Sequence, residues 1–290
     1  MGSQGEHSGT PYCCTNRRIV QEWKVGMFGL EDVNGRIIDI ESSFAPGPTV
    51  FTVLWRAAVI GWIITTCVLH LWGRSRAEIG MWFGQYSNLS VLATVLYFVS
   101  ALVAAIQIDG SIVKQRVTWW VKATWLWFSM AATLQLAAVL LFWVLVWKPG
   151  DEVTYFELAS HGLFFLVLLI DGLAVNKIPV RLKGILPLLG YNVLYMVWSM
   201  VHSYCRLGNP SSTSNDPNSD DDALYAVLNW RVRLNVAVGT AVVCNVLLFP
   251  SLYLLVWVAS ASGDGCRFNG SSRCYIPIPQ EEREMMIEEL

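Results

Sequence analysis

The sequence predicts an all-α fold: a polytopic integral membrane helix bundle of about six transmembrane helices. Three observations lead there. Hydrophobic residues fill 54% of the 290 positions and charged residues only 14%, whereas about a quarter of an ordinary soluble domain is charged. The apolar residues gather into runs long enough to cross a bilayer, whose core of about 30 Å needs about 20 helical residues. The chain also carries 14 Trp, a residue that prefers the boundary between headgroups and acyl chains.

The spans have to be helices. An isolated strand in lipid would leave its amides unpaired, and no alternating pattern of about ten residues suggests a barrel. Read with a window of about 19 residues, the first span covers Val53 to Trp72, with Arg56 near enough to its start to snorkel. The second, Trp82 to Ile106, opens on polar turns at Gln85, Ser87, Asn88 and Ser90. The third, Ala123 to Val146, is bracketed by tryptophans. The fourth and fifth, Glu157 to Val175 and Ile185 to His202, flank a basic turn with Lys177, Arg181 and Lys183. The sixth, Leu234 to Ala259, contains Pro250, which kinks it unless its neighbours compensate.

Three regions follow: an N-terminal tail, 1–49; a membrane domain, 50–260, with a polar loop at 205–222; and a C-terminal tail, 261–290. No apolar core of signal-peptide type precedes the first span, which then acts as its own insertion signal. Within the loop, Asn209 to Asp222 has no apolar residue and reads as disordered. The segment Ala223 to Trp230 is too short to span, and lies at the surface or dips in. Lys and Arg concentrate in both tails and in the loops holding Lys114, Arg116, Lys177, Arg181 and Lys183. The positive-inside bias then puts both termini in the cytosol, in the plasma membrane or an endomembrane. Asn269-Gly-Ser271 would stay unglycosylated in that orientation, and Asn88-Leu-Ser90 lies within a span.

Composition narrows the partners. A net charge of -2 without a dense basic face argues against nucleic acid. Cys67 and Cys244 fall in apolar runs as small hydrophobes, and no cysteine spacing matches a zinc site. No phosphate-binding glycine loop or Gly-x-Ser-x-Gly elbow is present, and no cofactor or metal is implied. The expected partners are the lipid bilayer and either a lipid-ester substrate or another membrane protein.

The ionisable groups within the apolar runs are the candidate site, because such groups usually face a bundle interior. His161 lies one turn after Glu157, so Glu157 is positioned to orient it as a base; the alternative is a histidine that only fixes packing. Asp171, ten residues on and about 15 Å along the axis, either caps the fourth span near Lys177 or pairs with Arg181. Ser87 would be a nucleophile if a base from another helix reached it, with Asn88 beside it; otherwise both are interhelical hydrogen bonders. Gly80 and Gly84 form a G-x-x-x-G suited to close helix contact. In the C-terminal tail, Tyr275 and Ile278 fit a tyrosine-based sorting signal.

The stretch SHGLFFLVLLIDGLAVNKIPVRLKGILPLLGYNVLY resembles the core of the rolling stone family, whose wider clan includes the androgen-induced membrane hydrolases. His161-Gly162, Asp171, Pro179, Arg181-Leu182 and Tyr191 carry the likeness. Tyr225 and Leu228-Asn229-Trp230 resemble the family's Tyr-Pro-x-Leu-Asp-Trp, with Asn229 in place of Asp, and Tyr86-Ser87-Asn88 resembles a Tyr-x-Thr-Asn-like element. The likeness spans roughly 50–260. It implies one of two functions. Rolling stone proteins are linked to cell–cell fusion, which implies a non-catalytic role in membrane organisation or cell–cell interaction. The clan's hydrolases cleave lipid esters with an intramembrane threonine and a histidine, which implies Ser87 as nucleophile. Their catalytic histidine corresponds to Phe164 here, which leaves His161, one turn away, as base. A proton-coupled transporter using Glu157, His161 and Asp171 is a third reading.

Overall fold

A computed structural model describes residues 28, 49–108, 119–176, 178–209 and 223–265. Six helices in it are long and apolar enough to cross a membrane: Val50–Leu71, Tyr86–Gln107, Trp119–Val144, Tyr155–Val175, Leu182–Tyr204 and Leu234–Ser260. The predicted spans are all present, most with ends moved by a few residues. The second starts at Tyr86 because Trp82 to Gly84 belong to a separate short helix, Arg76–Gly84. Ser75 caps that helix: its hydroxyl accepts from the Glu78 N–H, and Glu78 accepts in return from the Ser75 N–H at 2.8 Å. These reciprocal hydrogen bonds, and Arg74 beside it, hold the Glu78 carboxyl below its usual range.

Packing is strongest between the second and third spans. The second and third bury the largest shares of their lengths, and the first, fifth and sixth lie outside them. Tyr97, Phe98, Phe128, Leu134, Phe164 and Leu168 are fully buried at the centre. Gly172 lets the fourth span lie directly against the Phe128 ring, which occupies the space a side chain at 172 would need.

Three spans contain π turns. The fourth has two, Ala159–Leu163 and Ile170–Val175, around the α segment Phe164–Leu169. The sixth has one at Cys244–Leu248, just before Pro250. Proline cannot donate a backbone hydrogen bond, and the wider turn absorbs the mismatch, with the Phe249 N–H bonded to the Cys244 carbonyl. The helix continues to Gly265.

The segment before the sixth span packs down onto the bundle end. Ala223, Leu224, Leu228 and Trp230 are buried, Leu224 sits against Gly84, and the Trp230 indole donates to Ser199 at 3.0 Å. Of the G-x-x-x-G pair, Gly84 is in close contact, and Gly80 has open space around it. The N-terminal tail apart from Phe28 and 49, the C-terminal tail beyond Gly265, most of the Asn209 to Asp222 loop, Lys177, the Asn269 sequon and the Tyr275/Ile278 motif lie outside the described residues.

Candidate functional site

The sequence-predicted residues fall into separate environments. Ser87 is half-buried at the start of the second span, beside the Tyr225 hydroxyl, which accepts from the Tyr86 N–H at 3.1 Å and interacts with the Ser87 side chain. Burial raises the Tyr225 hydroxyl above its usual range, so it stays protonated. Asn88 donates to the Trp82 carbonyl at 3.0 Å and to Gln85 at 2.8 Å. It fastens the short helix to the second span and does not face an open site.

His161 is buried and inward-facing. It lies in the first π turn of the fourth span, with non-helical φ/ψ of -109° and 25°. Its ring stacks on Phe142 with centroids 4.1 Å apart, and its carbonyl accepts from Trp143 at 2.8 Å. No hydrogen bond joins Ser87 to His161. Glu157 does not orient the imidazole either. It is the third residue of a capping box, taking hydrogen bonds from the Thr154 N–H and hydroxyl, both at 2.8 Å. An exposed helix start needs its free N–H groups satisfied, and Glu157 is used there.

Asp171 is where the sequence reading needs most correction. Its ion-pair partner is Arg56 of the first span rather than Arg181, and at the end of its own helix it meets the Asn176 side chain. Its Oδ2 lies 3.5 Å from Nε of Arg56, and both side chains are fully buried. Tyr97 donates to the same oxygen at 2.6 Å and Asn176 at 2.7 Å, and the Trp55 indole donates to Oδ1 at 3.1 Å. Arg56 donates to the Ala101 carbonyl at 2.9 Å and to the Asn176 side-chain oxygen. Arg56 therefore does not snorkel. Its charge is matched inside the bundle by a carboxylate on the fourth span, which costs less than leaving it in lipid. The cluster ties the first, second and fourth spans together; Trp55, Tyr97 and Asn176 are members that the sequence did not single out, and Arg56 was expected to snorkel instead.

Arg181 stands in a different place, on the turn between the fourth and fifth spans. Its carbonyl accepts from the Tyr253 hydroxyl at 2.5 Å and from the Gly184 N–H at 2.9 Å. Ser260 ties the same turn to the sixth span, accepting from the Val180 N–H at 3.3 Å and donating to the Ile178 carbonyl at 3.1 Å. Among the described residues no group of three or more His, Cys, Asp or Glu is placed to hold a metal ion.

The fold and its buried charges define an all-helical, multi-pass membrane protein. Comparison with known proteins finds no matching family model, no matching curated protein and no matching solved structure.

Proposed function

We propose that this chain is a non-catalytic multi-pass membrane protein of the rolling stone type, acting in membrane organisation or cell–cell interaction, with both termini cytosolic. The observation that carries this reading is how its polar residues are used. Ser87 faces a tyrosine hydroxyl rather than an imidazole, His161 stacks on Phe142, and Glu157 caps a helix. Nucleophilic catalysis needs the serine oxygen within hydrogen-bond reach of its base, or one water away. The Arg56–Asp171 pair is enclosed and holds the spans in register.

The test is a cell-mixing experiment with the full chain. Cells displaying the protein should adhere to or fuse with their neighbours more often than cells lacking it. Ser87→Ala and His161→Phe should leave that activity unchanged, and a fluorophosphonate probe should label wild type and Ser87→Ala alike. Release of fatty acid from a lipid-ester panel that disappears in Ser87→Ala would replace this reading with the hydrolase.

A further inference from the structure

We propose that the cleft beside the turn between the fourth and fifth spans binds a phosphate-type oxyanion, with Arg181 and Trp125 as its donors. Phe28, Trp125, Leu126, Ser129, Pro179, Arg181 and Gly184 line the cleft, and its free volume is about 10 Å³. That is the room for one water-sized group. A single oxygen of a larger anion enters, and the rest of the anion stays outside.

The lining selects the charge. Trp125 is 3% exposed, and its indole N–H has no acceptor among the described residues. An indole nitrogen only donates, so what it lacks is an acceptor. Arg181 is 6% exposed and has further contacts of its own in the fold. A guanidinium carries five N–H donors and suits phosphate geometry better than an ammonium does. The Ser129 hydroxyl already donates to the Leu126 carbonyl at 2.9 Å, so it is not counted as a donor. Among the described residues that line it, none is acidic.

The site is also held in place before any anion arrives. Tyr253 and Ser260 pin the 178–184 turn through the Arg181 carbonyl, the Val180 N–H and the Ile178 carbonyl. A side chain at 184 would collide with the Tyr253 hydroxyl, so glycine there permits the clamp. Depth matches a lipid headgroup. Trp125 lies about 9 Å along the axis from Trp119, where the third helix begins, and Arg181 directly precedes the fifth span. Basic pockets between helices at a membrane face are suited to anionic headgroups. The same chemistry would accept free phosphate. This inference does not depend on the cellular role proposed above.

The full chain in nanodiscs of phosphatidylcholine alone, or with added phosphatidic acid, tests it by lipid retention in native mass spectrometry and by thermal stability. Phosphatidic acid should be retained preferentially and should raise the melting temperature. Trp125→Phe keeps the ring and removes the N–H, and should weaken retention about tenfold, the equivalent of one charge-assisted hydrogen bond. Arg181→Gln should abolish the preference. If inorganic phosphate stabilises the phosphatidylcholine sample equally and phosphatidic acid adds nothing, the anion is free phosphate rather than a headgroup. No preference for either anion, or a preference unchanged in Trp125→Phe and in Arg181→Gln, overturns the site.

Discussion

Asp171→Asn removes a negative charge from a place that water does not reach, and leaves the Arg56 guanidinium without its counter-ion. At 3.5 Å and an effective dielectric near 20, the direct attraction between the two charges is about 5 kcal/mol. Part of that offsets the cost of desolvating both groups, so the pair's net contribution is smaller than its attraction. The single substitution forfeits the attraction and keeps the cost on Arg56. It should therefore destabilise the bundle by about 3–5 kcal/mol. Arg56→Met should do the same, leaving a buried carboxylate with only its Tyr97, Asn176 and Trp55 donors. The double variant Arg56→Met with Asp171→Leu leaves neither charge behind and should recover most of the loss. A double-mutant cycle on unfolding in detergent measures the coupling directly. Additive single effects would refute the reasoning, as would an Asp171→Asn protein as stable as wild type.

Three further outcomes follow from the packing. Gly184→Ala pushes a methyl group into the Tyr253 hydroxyl and should cost about 1–3 kcal/mol in thermal unfolding; adding Tyr253→Phe removes the obstructing oxygen and should recover most of it. Gln135 is fully buried with neither amide atom hydrogen-bonded among the described residues, so Gln135→Leu should be neutral or stabilising by about 1–3 kcal/mol, and a loss would mean that the amide has a partner. Ser75→Ala should loosen the Arg76–Gly84 helix by about 1 kcal/mol. The Glu78 carboxyl is held below its unfolded value, so its contribution is complete above about pH 4.3 and is lost as pH falls through the folded value. The stability difference between wild type and Ser75→Ala should shrink over that range.

Hydropathy located the spans because crossing a bilayer imposes a length and a composition that a single strand of text can carry. It did not carry azimuth. Lipid tails are as apolar as a leucine core, so Leu194 on the outside and Leu188 on the inside look alike in sequence. Arg56 shows the consequence. Its position near a span start fits a snorkelling residue, and only the fourth span packed beside it shows that Asp171 meets it. Glu157 was misassigned because the Thr154-x-x-Glu157 capping pattern and the Glu157/His161 spacing compete for one carboxylate, and the exposed helix start takes it. The inward facing of His161 was legible from the cost of an ionisable group in lipid, but the π turns at Ala159–Leu163 and Ile170–Val175 have no residue-level signature comparable to proline, so its non-helical backbone was not.

The Arg56–Asp171 pair also bears on the order in which the bundle forms. Arg56 belongs to the first span and Asp171 to the fourth, with 115 residues of separation in sequence between partners that are both sealed from solvent. A lone arginine at the centre of a helix in lipid costs about 2.5–3.5 kcal/mol on an insertion scale. Arg56 lies about 10 Å from the start of its helix at Thr49, close enough for a long side chain to reach the boundary. The snorkelling geometry expected from sequence therefore describes a first span that has not yet met the fourth. In the folded bundle the guanidinium instead points inward, where the Asn176 side-chain oxygen and the Ala101 carbonyl accept from it. A mispaired helix would leave that charge unmatched. The pair thus selects the neighbour of the first span on energetic grounds, which hydrophobic contact alone does not do in a solvent as apolar as the helices themselves.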